Sequence, residues 1–167
     1  VAKLIKEDKF VDLIVPRGGE ALIRFISENS SIPVIKHDKG VCHTYIDQDA
    51  AISKVANIVI NAKCQRPSAC NALETLLIHE NIAPHLLNGL DEILKENNTT
   101  IKACSETLKY IKAIPVSEED FDTEYLDNVL NIKIVKDISE AINHIAKYGS
   151  GHSEAILSEN YTAINQF

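Results

Sequence analysis

Apolar and polar residues follow two different periods along the chain, and these periods predict strands that alternate with helices. Short apolar runs or strict alternation predict strands at residues 11–15, 32–35, 42–46, 73–79, 132–135 and 154–157. Apolar residues at helical spacing predict amphipathic helices, most clearly at residues 52–59 and also at 22–26, 87–94 and 138–145. The pattern therefore predicts an α/β fold, with at least five strands in a mostly parallel sheet and helices packed on it.

The stretch from Thr99 to Asn131 has only weak periodicity. It contains Pro115 and an acidic run between residues 118 and 124, a composition typical of exposed connecting segments. We expect one short strand here, followed by a long irregular segment on the surface.

Charge and cysteine spacing argue against several classes of function. The 17 basic and 24 acidic side chains give a net charge of −7, and the basic residues form no cluster, so a nucleic-acid partner is not expected. The apolar runs are far shorter than the roughly 20 residues that cross a bilayer, so no membrane role is expected. None of the four cysteines forms a C-x-x-C pair, and the histidines do not complete a zinc-like spacing. No metal site is therefore predicted.

The two ends of the sequence bear on its context. The chain starts at Val1 with neither an initiator Met nor a signal peptide, and it stops abruptly at Phe167. We expect a piece of a longer cytoplasmic protein whose thiols are reduced.

Cys70 differs from the other three cysteines in its surroundings. It lies on a polar loop, residues 64–71, that contains Pro67 and runs directly into an apolar strand. Loops at sheet ends often carry catalytic groups, and the backbone N–H or side chain of Asn71 is available to a developing oxyanion. Most free cysteines are small buried apolar residues, which is the interpretation for Cys42, Cys64 and Cys104. Local features alone leave both interpretations open for Cys70.

Four motifs together resemble one known family. The segment NAKCQRPSACNALETLLIH at residues 61–79 resembles the active-site segment of the γ-glutamyl phosphate reductases. Their domain also forms the C-terminal half of bifunctional pyrroline-5-carboxylate synthases. Three further motifs, in family order, are VPRGG at 15–19, GVCHTYID at 40–47 and the stretch from Val135 to Ile156 that contains YGS and HSEAI. The resemblance spans nearly all of the chain.

The resemblance implies a fold and a reaction. The fold is the aldehyde dehydrogenase catalytic domain, an open, mostly parallel twisted sheet with helices on both faces. The reaction is the NADPH-dependent reduction of L-glutamate 5-phosphate to L-glutamate 5-semialdehyde and phosphate, a step of proline biosynthesis. Cys70 becomes the nucleophile that forms a thioester, with Asn71 beside it in the catalytic loop. The family also implies a functional link to glutamate 5-kinase and a homo-oligomeric full-length enzyme.

Other residues receive roles from the resemblance, each with a plain alternative. Glu124 aligns with the glutamate that binds the nicotinamide ribose, although it is also one charge in an acidic surface run. Gly18 and Gly19 would lie near the cofactor, yet a simple turn explains them equally well. The signature stretch at Ser150 and His152 has no certain role, and its glycines also end a helix.

One absence fits a reductive reaction. Aldehyde-oxidising relatives carry a glutamate that activates water, and the matching place here, residues 36–40, contains no Glu. Asp38 is the one carboxylate available there, and a solvated turn residue is the simpler interpretation. His79 and His85 are interpreted as structural or surface residues.

The resemblance also divides the chain. Residues 1–38 match the tail of the dinucleotide-binding domain, and residues 39–167 match the catalytic domain without its C-terminal part. We expect such a piece to bind NADPH poorly and to have little activity. Two alternatives remain at this point, an acylating aldehyde dehydrogenase for another activated acyl group and a non-catalytic α/β interaction domain. The residues that bind the glutamate moiety, and whether a kinase is fused to the protein, are not predicted.

Overall fold

The computed structural model describes residues 1–36 and 39–167, with Glu20 described by its backbone alone. The chain separates into two compact units, Val1–Lys39 and Gly40–Phe167. Each unit has its own buried residues. The assignment of residues 1–38 to a dinucleotide-binding domain stays a prediction.

The second unit is built on a six-stranded sheet in which every pair of neighbours is parallel. The strands are β1 Cys42–Ile46, β2 Leu73–His79, β3 Thr100–Ala103, β4 Ile114–Pro115, β5 Val129–Val135 and β6 Glu154–Leu157. Their order across the sheet is β4-β3-β5-β2-β1-β6. This arrangement is the predicted α/β class, because parallel neighbours need a crossover connection between consecutive strands.

Helices cover both faces of this sheet. The helices are α1 Glu20–Asn29 in the first unit, and α2 Ile52–Cys64, α3 Ala83–Glu96, α4 Glu118–Phe121, α5 Ile138–Tyr148 and α6 Tyr161–Gln166 in the second. The larger apolar core packs α2 and α3 on one face, around Leu76, Ile78 and Leu87. The smaller core packs α5 on the other face, around Tyr45 and Leu77. Alternate residues of β1 and β2 thus serve opposite cores, as the two-residue period of a strand requires.

The first unit holds much less regular structure. It contains a 3-10 turn at Leu4–Lys6, helix α1, and one isolated parallel bridge between Ile14 and Val34. The predicted strands at 11–15 and 32–35 are therefore wrong beyond that single bridge. Val15 is 64% exposed and Ile35 is 59% exposed, so these apolar runs do not bury the face that would make them sheet strands.

The predicted strands of the second unit are confirmed, three of them at both ends. Residues 42–46, 73–79 and 154–157 form β1, β2 and β6, whereas β5 begins at Val129 rather than at residue 132. Asn131 interrupts the apolar run of β5, so the sequence pattern places the start of this strand three residues too late. This side chain is fully buried and donates to the carbonyl of Asp120 at 2.9 Å and to the Thr75 hydroxyl at 3.4 Å.

The segment before β5 is more ordered than the sequence predicts. The expected short strand is β3, but the rest holds a 3-10 turn at Thr107–Lys109, strand β4 and helix α4. Ser117 and Asp120 form a reciprocal capping box at the start of α4. Asp120 also pairs with Lys102 and accepts from the Tyr125 hydroxyl. Asp120 of the acidic run is therefore held against the sheet, since Lys102 lies on β3.

A buried imidazole lies between the sheet and helix α5. His144 is 4% exposed, with the rings of Phe121 and Tyr148 4.7 Å and 4.6 Å away. Nζ of Lys133 lies 3.4 Å from its Nδ1. Burial, reinforced by the charge of Lys133, lowers the pKa of His144 to about 3. The ring is therefore neutral in the folded protein at every pH above this value.

We predict that His144 makes the fold acid-sensitive. An unfolded histidine takes up a proton near pH 6.5, whereas folded His144 stays neutral to about pH 3. Between these values the unfolded chain binds more protons, so stability falls as the pH falls. Between pH 7.5 and pH 5.0, urea unfolding should show that the parent loses about 2 kcal/mol more stability than His144→Phe, because only the parent contains this imidazole. The exposed His85→Gln is the control and should change with pH as the parent does; an identical pH dependence of the parent and His144→Phe would contradict the assignment.

Candidate active site

Four connecting segments meet at one edge of the sheet. Residues 40–41 precede β1, residues 65–72 precede β2, residues 122–128 precede β5 and residues 149–153 precede β6. These four strands are neighbours and run parallel, so the segments before them emerge side by side. Groups at this edge lie at the amino ends of the strands. Open α/β sheets more commonly place ligands at the carboxyl ends.

Cys70 is the solvent-exposed cysteine of the chain, and it lies in the loop between α2 and β2. The loop is shaped by two tight turns, in which the Ala69 amide donates to the Arg66 carbonyl and the Ala72 amide to the Ala69 carbonyl. Asn71 follows Cys70 and is also exposed. The predicted nucleophile and its neighbour are thus presented to solvent at the shared edge, as a reactive thiol requires.

The other cysteines have structural surroundings. Cys42 is 3% exposed, and Cys64 and Cys104 are half-buried with each sulfur 3.3 Å from a threonine hydroxyl. The Cys42 thiol lies 3.4 Å from the Cys70 carbonyl oxygen and donates to it. Burial, with the nearby charge of Glu154, raises the pKa of Cys42 to about 11. Cys42 therefore stays a protonated donor that braces the backbone of the Cys70 loop.

Gly40 is the point of closest approach between the segments. A Cβ added at Gly40 would lie 1.8 Å from the carbonyl oxygen of Cys70, far inside any allowed contact. The same Cβ would lie 3.1 Å from Oε1 of Glu124. Only a glycine permits this approach. The structure therefore brings two of the predicted site residues, Cys70 and Glu124, to the same side of one glycine.

The signature stretch before β6 has a visible structural role. The Ser150 hydroxyl accepts a hydrogen bond of 3.0 Å from the Val41 amide, which fixes the entry to β1. Gly151 has φ +70°, in the left-handed region. Nδ1 of His152 lies 4.0 Å from the Cys42 sulfur and 2.9 Å from the Ser153 hydroxyl. Sequence reasoning left these roles open, and the structure assigns Ser150 to positioning the segment that touches Cys70.

Lys63 and Glu74 form a buried ion pair that sequence reasoning missed. Their side chains are 0% and 1% exposed, and Nζ lies 2.9 Å from Oε2. Two signals were present in the sequence. Lys63 continues the buried stripe of Val55 and Val59 at four-residue spacing, and Glu74 interrupts the apolar run of β2. A charge at each position requires a partner, because an unpaired buried charge is very costly.

The charge of Glu74 is balanced by opposing effects. Burial is the largest and raises the pKa of Glu74 to about 7, and the charge of Glu124 acts in the same direction. Lys63 and the backbone amide of Leu126 favour the ionised carboxylate instead. Glu74 therefore responds to two neighbouring parts of the chain, helix α2 and the segment before β5.

His43 on β1 faces the opposite side of the sheet from Cys42. Its backbone amide donates to Oε2 of Glu154 at 2.7 Å, and its Nδ1 lies 3.2 Å from the same oxygen. This contact ties the first residue of β6 to β1.

Several predictions concern groups outside this edge. Asp38 lies outside the described residues. His79 is 7% exposed, and its Nδ1 accepts from the Asn81 amide at 3.1 Å, consistent with the structural role assigned to it.

In the described part of the chain, no group of three or more His, Cys, Asp or Glu side chains is arranged to hold a metal ion. No helix in residues 1–36 and 39–167 is long and apolar enough to cross a membrane.

The chain is similar along its whole length to one group of enzymes. No family model matches it. It is 71% identical over 167 residues to the γ-glutamyl phosphate reductase of Aliarcobacter butzleri, and 58% identical to that of Sulfurovum sp.. It covers 40% and 41% of these two proteins, so it spans about two fifths of the length of these curated relatives.

Solved structures agree with this similarity. The crystal structure of γ-glutamyl phosphate reductase from Thermotoga maritima matches 99% of this chain with a TM-score of 0.97 and 41% identity, and the match covers 40% of that chain. An acetylating aldehyde dehydrogenase from Geobacillus thermoglucosidasius matches 99% of this chain with a TM-score of 0.72, over 45% of its own length. At 22% identity, this second likeness shows the fold alone, which is that of aldehyde dehydrogenases.

We predict that Gly40 tolerates no side chain. The added Cβ of Gly40→Ala would overlap the Cys70 backbone, so the loop or the entry to β1 must move. Overpacking of this kind costs about 1–3 kcal/mol or more, measurable by chemical unfolding. Gly89→Ala is the matched control, since its Cβ meets no atom within 4 Å. That exposed helical change should instead stabilise the protein by about 0.5–1 kcal/mol. Equal stabilities of the two variants would refute the close approach.

Proposed function

We propose that the chain is a segment of a γ-glutamyl phosphate reductase and that it carries the catalytic cysteine of that enzyme. The complete enzyme reduces L-glutamate 5-phosphate to L-glutamate 5-semialdehyde and phosphate in proline biosynthesis, with NADPH as the reductant. The observation that carries the proposal is the exposed thiol of Cys70, on a braced loop at the edge where Gly40 and Glu124 meet.

In this mechanism Cys70 acts first as a nucleophile. Its thiolate attacks the acyl carbon of the glutamyl phosphate, the C–O bond to phosphate breaks, and a thioester forms on the sulfur. Bound NADPH supplies a hydride for the thioester carbonyl. Collapse of the resulting thiohemiacetal releases the aldehyde and returns the sulfur as a thiolate. Exposure of Cys70 supports this role, since an acyl phosphate must reach the sulfur directly.

Both tetrahedral species on Cys70 carry an oxyanion. The backbone N–H groups of Cys70 and Asn71 are our candidate donors, and donors fixed before the reaction lower its barrier most effectively. The Cys42 thiol supports this arrangement, since it donates a hydrogen bond to the Cys70 carbonyl oxygen and so holds the peptide group between Cys70 and Asn71. Cys42 itself is excluded as a competing nucleophile at neutral pH, because burial keeps it protonated.

Glu124 is our candidate for holding the nicotinamide ribose. Its carboxylate is half-buried and lies on the Cys70 side of Gly40, and a carboxylate is a natural acceptor for two vicinal hydroxyl groups. The residues present therefore fit a nicotinamide dinucleotide, in which Glu124 would hold the ribose and the bound group would supply hydride to the acyl group on Cys70. Preference for NADPH over NADH is part of the proposal.

A reductase of this type has no use for a base that activates water. Residues 36–40, the place where aldehyde-oxidising relatives carry that glutamate, contain no Glu. The thioester on Cys70 is thereby spared hydrolysis. The same absence suits an acylating aldehyde dehydrogenase, but the relatives at 71% and 58% identity are named as reductases of the glutamyl phosphate.

Further properties of the complete enzyme belong to the same proposal. Its substrate is the product that glutamate 5-kinase makes, so the two activities are linked in function. The enzyme acts in the cytoplasm as a homo-oligomer. Support for the compartment comes from the free thiols of all four cysteines, which fit a reducing environment.

We predict that Cys70→Ser abolishes reduction in the full-length protein. Loss of the nucleophile should lower kcat by about 10⁴-fold or more, as in other enzymes with covalent catalysis. The assay follows NADPH oxidation with L-glutamate 5-phosphate, and phosphate release should fall in parallel. Cys104→Ser is the control, since that sulfur is half-buried beside Thr107. Turnover that survives in Cys70→Ser would favour a non-catalytic domain or another nucleophile.

We predict that Glu124→Gln weakens cofactor binding specifically. Removing the charge from a hydrogen bond to the ribose costs about 1.5–3 kcal/mol, so KM for NADPH should rise roughly 10- to 100-fold. KM for L-glutamate 5-phosphate should stay within about threefold. Glu119→Gln is the control, an exposed residue of the same acidic run. Equal effects of the two changes would assign Glu124 to the surface.

A further inference from the structure

A buried ion pair closes the base of the loop that presents Cys70. Lys63 is in the last turn of α2, and Glu74 is the second residue of β2. Their side-chain atoms meet at 2.9 Å with almost no solvent exposure. The eight residues between α2 and β2, including Cys70, are therefore bounded by a contact that fixes the separation of the two loop ends.

The same carboxylate also faces the segment that carries Glu124. The backbone amide of Leu126 favours the ionised form of Glu74, and the charge of Glu124 opposes it. Leu126 has φ +53°, a left-handed conformation that a leucine rarely adopts. Within residues 1–36 and 39–167, Oε1 of Glu74 has no hydrogen-bond partner. Glu74 is thus paired with α2 through Lys63, and the amide of Leu126 and the charge of Glu124 in the segment before β5 act on its carboxylate.

Stability alone is a weak explanation for this pair. Two buried charges lose so much hydration that well-packed apolar residues in their place are often neutral or even stabilising. The surroundings here are apolar, since Val59 and Leu76 of the larger core lie on the same helix and strand. An apolar pair would therefore fill the space, but it would not hold the loop ends at one distance and direction.

We infer that Lys63 and Glu74 are positioning residues, which fix the Cys70 loop relative to the segment carrying Glu124. This inference rests on the proposed function, in which the sulfur and the nicotinamide ribose must keep one separation for hydride transfer. Neither side chain touches substrate or cofactor. Their effect is on geometry, and a misplacement of about 1 Å can lower a rate by about 100-fold.

The pair gives the site a specific pH dependence. Burial raises the pKa of Glu74 to about 7, so the ionised partner of Lys63 is lost as the pH falls through this value. The charged or titratable groups facing it are Lys63 from α2, Glu124 from the segment before β5 and Cys42 from β1. Below neutral pH the loop ends are joined only by a hydrogen bond between a neutral acid and an ammonium group. Turnover should therefore rise with pH through neutrality.

The test uses the double variant Lys63→Met with Glu74→Met in the full-length protein. We expect thermal unfolding within a few degrees of the parent, kcat lowered by about 100-fold and both KM values within about threefold. We also expect the rise of kcat near pH 7 to disappear. The control is Asp91→Met with Lys95→Met, a pair on α3 with an N–O distance of 2.6 Å, which should leave kcat and its pH profile unchanged.

The outcomes separate this inference from the proposed function. A folded double variant with parental kcat and the parental rise near pH 7 overturns the positioning role, while inactive Cys70→Ser still supports the reductase. Active Cys70→Ser instead overturns the reductase itself. If the double variant does not fold, Glu74→Gln decides by the same two readouts, since it keeps the side-chain volume and an acceptor for Lys63.

Discussion

Parallel alignment of four neighbouring strands is the constraint on which the rest of this structure depends. β5, β2, β1 and β6 run in one direction, so the segments that precede them emerge at one edge. Residues separated by tens of positions in sequence become neighbours there without any further device. This edge lies at the amino ends of the strands, whereas ligand sites of open α/β sheets usually lie at the carboxyl ends. It depends instead on backbone contacts, and Gly40 provides the tightest of them.

Charge is treated differently on the two faces of the sheet. On the α2 face, Lys63 and Glu74 are buried as an ion pair at the base of the Cys70 loop. On the α5 face, His144 is buried as a neutral ring among aromatic side chains. Both arrangements avoid an unpaired buried charge, because removing such a charge from water costs much free energy. One keeps both charges and gains a fixed geometry, whereas the other gives up the charge and becomes sensitive to acid.

Sequence patterns predicted the sheet well because its central strands are buried on both faces. β2 is buried at all seven positions, and its apolar run gives both of its ends. The predictions fail where a buried residue is polar or where an apolar run is exposed. Asn131 hides the start of β5 because its amide is satisfied inside the fold, and the exposed runs at 11–15 and 32–35 look like strands but pair at one bridge. For the site, Cys70 could be selected only through the family resemblance. The contacts of Gly40, Cys42 and Glu74 depend on strand register, which no local pattern contains.

The hydrogen bond from Cys42 to the Cys70 carbonyl places two sulfur atoms in one small site with very different chemistry. With its pKa near 11, about one Cys42 thiol in ten thousand is ionised at pH 7. An electrophilic inhibitor that enters this edge therefore meets a single available sulfur. Its chemical selectivity would come from the depth at which the first residue of a strand is buried, and a variant that loosened β1 would make both sulfurs reactive.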